Sequence, residues 1–257
     1  MKMFANERRN KIIGLLNKEK RITVKELSSH LGVSEATLRT DLNKMEEEGL
    51  LIRTHGGAVL NDESENDTNF SVREKKNKGE KRQIAKKAFE FIEEKQCILL
   101  DASSTALEFA RYIKTKPIRL TVVTTGLLTA LELNDNPDIT VILIGGVLTK
   151  KSTSIEGTLG IDLIDHINID IMFTSANSFT IQNGLEDFNL YEVELKKQIV
   201  EKAAKVIAII DSSKIGRSSS ASFAKLGQID KLITDKPLDD DMYSKLLENN
   251  IEVILAN

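Results

Sequence analysis

The 257-residue sequence has a single cysteine, Cys97, which rules out a disulfide within the chain and suits a reducing compartment. It lies in an apolar run, where a thiol is expected to act as a small buried hydrophobe. Histidine is almost as scarce. His30, His55 and His166 are far apart with no ligand spacing around them, so no metal is expected. The phosphate loop, the dinucleotide fingerprint G-x-G-x-x-G and the nucleophile elbow G-x-S-x-G are all missing, which removes the common nucleotide-binding and hydrolase classes. No cofactor is expected. No apolar run approaches the roughly 18 residues that span a bilayer, and Glu7-Arg8-Arg9 brings charge before a leader's apolar core could form. The expectation is a cytoplasmic chain with no membrane partner.

What is present suits packed globular domains: 40% of residues are apolar and 29% charged. The net charge of -3 is unevenly spread. Residues 1–57 hold 11 Lys and Arg against 8 Asp and Glu, and residues 58–257 hold 25 against 31, so a mildly basic head precedes an acidic body. Between them, Asn61-Asp62-Glu63-Ser64-Glu65-Asn66-Asp67-Thr68-Asn69 offers no apolar side chain to a core and reads as a linker. The expected domains are residues 1–60, this linker at 61–69, and residues 70–257.

In the head, Ile12, Ile13, Leu15 and Leu16 give a first helix its apolar stripe. Thr23-Val24-Lys25-Glu26 is a capping box that opens a second helix, with Leu27 and Leu31 facing inward. Gly32-Val33-Ser34 breaks the chain, Ser34 caps a third helix carrying Leu38, Leu42 and Met45, and Gly49 stops it. Two short helices around a Gly-containing turn form a helix-turn-helix pattern. Residues 50–60 follow as two strand-like runs around Gly56-Gly57, which suits a β-wing.

Beyond the linker the pattern predicts one long charged helix over 70–94, with Ile84, Ala85, Ala88, Phe89 and Ile92 on one face and Gly79 as a kink or early end. Apolar strands are expected at 97–100, 120–124, 139–144, 169–173, 205–210, 231–234 and 251–255, and helices at 105–114, 126–133, 159–166, 190–203 and 239–249. Strands this uniformly apolar are buried on both faces, so the fold class is α/β, with a Rossmann-like open, mainly parallel sheet. Ligands of such sheets sit at the strands' carboxyl ends. Asp101, Ser103, Ser104 and Thr105 follow the first strand and open a helix whose free N–H groups favour an anion such as phosphate. Thr124, Thr125 and Gly126, the pair Gly145 and Gly146, and Asp211-Ser212-Ser213-Lys214 follow other strands. Plain N-capping by Ser103 or Ser104 and a solvated Lys214 are the alternatives.

The run from Val33 to Leu50, closed by Arg53-Thr54-His55-Gly56-Gly57-Ala58, together with 81–88, 101–105, 122–126, 144–146, 184–185, 211–214 and 233–235, resembles the DeoR family of transcriptional regulators. The resemblance implies a winged helix-turn-helix joined to an effector domain similar in fold to ribose-phosphate isomerases. It implies a regulator rather than an enzyme: a repressor of a sugar-utilisation operon, released from double-stranded operator DNA by a phosphorylated sugar, and working as a homo-oligomer, dimer or tetramer. Ala36, Thr37, Arg39, Thr40 and Asn43 would then face the DNA groove, with Ser34 holding the helix start and Arg53 and His55 near the DNA backbone. Asp101, Ser103, Ser104, Thr105, Thr124, Thr125, Gly126, Gly145, Gly146 and Lys214 would line the effector site. The sequence departs from the family pattern at Thr40, where arginine is usual, at Ser103, where glycine is usual, and at Thr125, where asparagine is usual. The rival reading is a sugar-phosphate isomerase with an accessory nucleic-acid domain, using Asp101, Glu186 or Asp187, and Lys214.

Overall fold

The computed structural model describes residues 5–47, 51–54, 56–60, 70–148 and 153–256. The chain divides into two compact units, residues 1–76 and 77–257. The acidic linker, Gly49 and His55 lie outside the described residues.

In the first unit, α1 (Ala5–Glu19), α2 (Val24–Leu31) and α3 (Glu35–Glu47) pack with a three-stranded sheet of β1 (Arg21–Thr23), β2 (Leu51–Thr54) and β3 (Gly57–Leu60), ordered β1-β3-β2. The capping box forms as its spacing requires: Glu26 N–H donates to Thr23 Oγ1 and Thr23 N–H donates to Glu26 Oε2. Gly32, at φ 64°, ends α2 in the left-handed conformation that opens the turn. Ile12, Leu16, Leu27, Leu38, Leu42 and Met45 close one fully buried core, and Leu31 packs at its margin. β1 is the element the apolar pattern misses, since three residues show no period. Gly57 accommodates it: a Cβ there would stand 2.1 Å from the Ile22 carbonyl oxygen, so only glycine allows β3 this close to β1.

The single helix expected over 70–94 is instead α4 (Phe70–Lys75) and α5 (Lys78–Phe89). The break is not at Gly79, which lies inside α5, but at Asn77, whose φ of 52° is left-handed and whose side-chain amide donates to Asp211 Oδ1 at 2.9 Å and Ser213 Oγ at 3.0 Å. Asparagine tolerates that conformation better than most residues.

The second unit is built on a seven-stranded sheet of β4 (Cys97–Leu100), β5 (Leu120–Thr124), β6 (Ile139–Leu143), β9 (Ile171–Thr174), β12 (Val206–Ile209), β14 (Lys231–Thr234) and β15 (Glu252–Leu255). Its order is β15-β14-β12-β9-β4-β5-β6 and every pairing is parallel. Apolar clusters cover both faces, as the uniformly apolar strands demand. Helices α6 (Ser104–Lys114) and α7 (Leu127–Leu133) accompany the β4-β5-β6 half, while α5, which also packs on α6, meets β12 and β14, and α9 (Asp240–Glu248) meets β15; α8 (Leu190–Lys202) leads into β12. Cys97 is half-buried at the core margin.

The helix expected at 159–166 is a 3-10 helix at Ile161–His166. Ile161, Ile164 and Ile167 recur every third residue, the 3-10 period, and all three pack on the core. Two small antiparallel pieces were not legible as strands: the pair β7 (Val147–Leu148) and β8 (Ile155–Glu156), and a sheet of β10 (Ser178–Thr180), β11 (Gly184–Asp187) and β13 (Ala221–Ala224). No helix among the described residues is long and apolar enough to cross a membrane.

Candidate nucleic-acid face and ligand crevice

Ser34 Oγ accepts from Thr37 N–H at 3.3 Å and sits 2.9 Å from Thr37 Oγ1, so it caps α3 as its position predicts. From that start the helix turns Leu38, Asp41, Leu42 and Met45 inward and leaves Ala36, Arg39, Thr40 and Asn43 exposed at three- and four-residue spacing along one face. Thr37 is half-buried at the edge of that face. Arg39 reaches back to Glu35 Oε2 at 3.1 Å, an exposed pair that DNA phosphate could displace cheaply. Thr40 Oγ1 donates to the Ala36 carbonyl at 3.2 Å. The wing meets the helix at two points: Arg53 N–H donates to Glu46 Oε1 at 2.9 Å, and the Arg53 guanidinium donates to Asn43 Oδ1. His55, the other wing candidate, is outside the described residues. Asp41, next to the exposed face in sequence, is 5% exposed and takes the Arg8 guanidinium, tying α1 to α3. Its inward role could have been read from its place three residues after Leu38 and four before Met45.

In the second unit the strand order reverses between β4 and β9. From β4 the chain steps outward through β5 to β6, and from β9 it steps outward the other way, so the crevice between the ends of β4 and β9 is the topological switch point. Asp101 stands at the end of β4, and Thr174 and Ser175 at the end of β9. Asp101 is 1% exposed. Its Oδ1 accepts from Ser103 N–H at 3.0 Å, and its Oδ2 accepts from Thr174 Oγ1 at 2.7 Å, from Ser175 N–H at 2.9 Å and from Lys196 Nζ at 3.0 Å. Burial opposes its charge, but the Lys196 ammonium and these donors prevail and hold the carboxyl below its ordinary value. Asp101 therefore braces the switch point.

Lys196 on α8 was not singled out in the sequence. It is buried, donates to Asp187 Oδ2 at 2.7 Å and to the Ser175 carbonyl at 2.9 Å, and lies 4.6 Å from the Phe223 ring centroid. Burial disfavours its charge, yet Asp101 and Asp187 raise its pKa above the ordinary lysine value. Only tertiary contact reveals this residue, since Lys196-Lys197 reads as a solvated helix face.

Around this brace the hydroxyl-bearing segments converge. Ser103 Oγ caps α6 by accepting from Ala106 N–H at 3.1 Å, so it performs the structural role weighed for it. Ser104 Oγ, on the first turn of α6 and 1% exposed, has no hydrogen-bond partner among the described residues. Thr105 Oγ1 and Lys214 Nζ each lie 3.4 Å from Ser175 Oγ, which brings the ends of β4, β9 and β12 to one hydroxyl. Asp211 caps the short 3-10 turn that carries Lys214, and its carboxyl is held low because Lys214, Ser213, Lys81 and Asn77 outweigh the cost of burial. Thr124 Oγ1 accepts from Gly126 N–H at 3.0 Å, and a Cβ on Gly126 would lie 3.1 Å from Ala102 Cα, so the turn after β5 closes directly on the Asp101 segment. Thr125 is buried there, and its carbonyl accepts from Ile155 N–H at 2.8 Å. Gly145 and Gly146 are exposed, and their close neighbours are Ile155, Glu156 and Gly160. Among the described residues no group of three or more His, Cys, Asp or Glu side chains could hold a metal ion.

Residues 8–64 match the DeoR-like helix-turn-helix domain, and residues 76–236 match the DeoR C terminal sensor domain. The HTH-type transcriptional regulator GolR of Listeria innocua is 46% identical over 254 residues, covering 99% of this chain and 100% of its own length. The glycerol-3-phosphate regulon repressor of Escherichia coli K12 is 30% identical over 254 residues, again covering 99% and 100%. Among solved structures, a ribose 5-phosphate isomerase A from Methanocaldococcus jannaschii aligns with 54% of this chain and 55% of its own, at 17% identity and a TM-score of 0.41, a likeness too loose to speak to activity.

Proposed function

The chain belongs to the DeoR family of transcriptional regulators, and from that premise we propose a cytoplasmic repressor of a sugar-utilisation operon that leaves its operator when a phosphorylated sugar fills the crevice at the switch point. The first unit reads DNA with α3, whose exposed Ala36, Arg39, Thr40 and Asn43 supply base and phosphate contacts while the wing and Arg53 lie along the backbone. Paired half-sites call for a homo-oligomer, so two copies act together.

The observation that carries the effector reading is the unpartnered, buried Ser104 hydroxyl at the start of α6. A buried hydroxyl without a partner is costly, and a helix start presents free N–H groups to an anion. The phosphate end of the effector sits there, with Thr105, Ser175 and Lys214 around it. The E. coli relative is named for a regulon of a phosphorylated three-carbon compound, which agrees with that chemistry. The enzyme reading loses ground: Asp101 and Asp187 are both engaged by Lys196, and the relatives are named as regulators.

The test is a thermal-shift panel of sugars with and without phosphate, followed by operator binding with any hit. Lys214→Ala is expected to weaken a phosphosugar roughly tenfold or more, since charge-assisted bonds contribute about 1.5–3 kcal/mol, and to leave the unphosphorylated sugar nearly unchanged. Equal loss for both forms would make the lysine structural.

A further inference from the structure

The small sheet β10-β11-β13 leaves two polar atoms unexplained. Ser178 and Glu186 are direct partners in the β10–β11 register, and Glu186 is in turn opposite Ser222 of β13, so the three side chains stand on one face of the sheet. The next pair along, Phe179 and Leu185, stands on the other face and belongs to the apolar core. Ser178 is 1% exposed and Glu186 3% exposed. Asn183 Nδ2 donates to Glu186 Oε1 at 3.2 Å, and Ser222 Oγ donates to the Asn183 carbonyl at 2.6 Å. Among the described residues, Ser178 Oγ and Glu186 Oε2 have no hydrogen-bond partner. A folded chain leaves a buried carboxylate oxygen and a buried hydroxyl unmatched only at a cost, and here the two belong to directly paired residues of neighbouring strands.

Both are tied to the switch point through the backbone. Ser178 is three residues beyond Ser175, at most about 10 Å of extended chain. Glu186 precedes Asp187, which grips Lys196 at 2.7 Å, and the Glu186 carbonyl accepts from Asn177 N–H at 3.0 Å. We propose that Ser178 and Glu186 are the hydroxyl-reading end of the effector crevice, with Glu186 Oε2 accepting a sugar hydroxyl and Ser178 Oγ bonding a neighbouring one. The inference rests on the sugar-phosphate reading above and adds a division of labour: the Ser104–Lys214 end holds phosphate, and the Ser178–Glu186 end selects the polyol. A carboxylate accepts only, so it favours hydroxyl donors and repels a second anionic group.

The experiment uses the full-length protein and Glu186→Gln and Ser178→Ala, with calorimetric titration of inorganic phosphate, glycerol 3-phosphate, ribose 5-phosphate, fructose 6-phosphate and the three unphosphorylated parents. The tightest-binding phosphosugar is expected to lose roughly tenfold or more in affinity on Glu186→Gln, equal to about 1.4 kcal/mol, and less on Ser178→Ala, with inorganic phosphate unchanged. Without ligand, Glu186→Gln is expected to melt no lower than the wild type, because it replaces a buried carboxyl that has one unmatched oxygen with a neutral amide. Phosphosugar affinities within twofold of wild type for both variants would overturn the proposal and leave the phosphate reading standing, as would equal loss for inorganic phosphate. Binding of an unphosphorylated parent alone, weakened by Glu186→Gln, would overturn the phosphate reading and keep this pair. No binding of any panel member to the wild type would overturn both.

Discussion

Arg39 and Lys196 show how far one side chain's surroundings decide its role. Arg39 is exposed on α3 and pairs with Glu35 one turn back, an exposed pair that leaves the guanidinium available to DNA. Arg39→Ala is expected to weaken operator binding by about 1–3 kcal/mol if it reads a base, or to weaken all sequences alike if it holds phosphate; anisotropy titrations with operator and random duplexes separate the two. Lys196 is the opposite case. It balances two buried carboxylates, so Lys196→Met should cost about 3–5 kcal/mol in denaturant unfolding of the sensor unit, whereas a solvated lysine would cost almost nothing. The same cluster sets a pH dependence. Asp101 and Asp211 have carboxyls held below their ordinary value, so the stability they confer is complete above about pH 4, the unfolded-chain value, and is lost as pH falls through their lower folded values. Lys196 is raised, so its contribution is complete below about pH 10.4 and fades only above that. Melting temperature is expected to hold level through neutral pH and fall below about pH 4; a decline centred near pH 6 would point to other groups.

Secondary-structure elements were legible where a period could be counted. The seven sheet strands, the capping box, the Ser34 cap and the Gly56-Gly57 wing all follow from spacing and turn chemistry, because apolar runs and cap residues act locally. The elements that were not legible depend on partners far along the chain. β1 has three residues and exists because Gly57 lets β3 approach. The break at Asn77 is fixed by Asp211 and Ser213, more than a hundred residues away. The strands around Ser178, Gly184 and Phe223 are short and half polar, so neither period two nor an apolar run marks them. The candidate crevice divides the same way. Strand-end hydroxyls at 103–105 and Lys214 could be found by counting from each strand, whereas Lys196 becomes visible only once β9 lies beside β4, and Glu186, offered by the sequence to the rival enzyme reading alone, gains its pairing with Ser178 from the same fold. Gly145 and Gly146 follow β6, the edge strand, and lie beside Ile155, Glu156 and Gly160, neighbours that counting along the chain does not reveal.

At the scale of the whole molecule, the helix-turn-helix and the sensor domain belong to different units of one chain, and the effects of DNA and effector on each other are constrained by linkage whatever the path between them. If a phosphosugar filling the crevice lowers operator affinity by a factor α, operator DNA must lower phosphosugar affinity by the same factor. Typical coupling of about 1–3 kcal/mol corresponds to roughly 5- to 150-fold. A pair of recognition helices must meet half-sites about one helical turn apart, so a modest change in how two copies pair would spoil one contact while leaving each head folded. That route predicts strong coupling on a two-half-site operator and weak coupling on an isolated half-site. Calorimetric titration of the effector against free protein, protein with a half-site duplex and protein with the full operator measures all three affinities. Weakened effector binding on the full operator alone would place the coupling in the pairing of copies. Equal weakening on the half-site would place it within a single chain. Equal affinities in all three titrations, with the effector still bound, would mean that the crevice does not control DNA release.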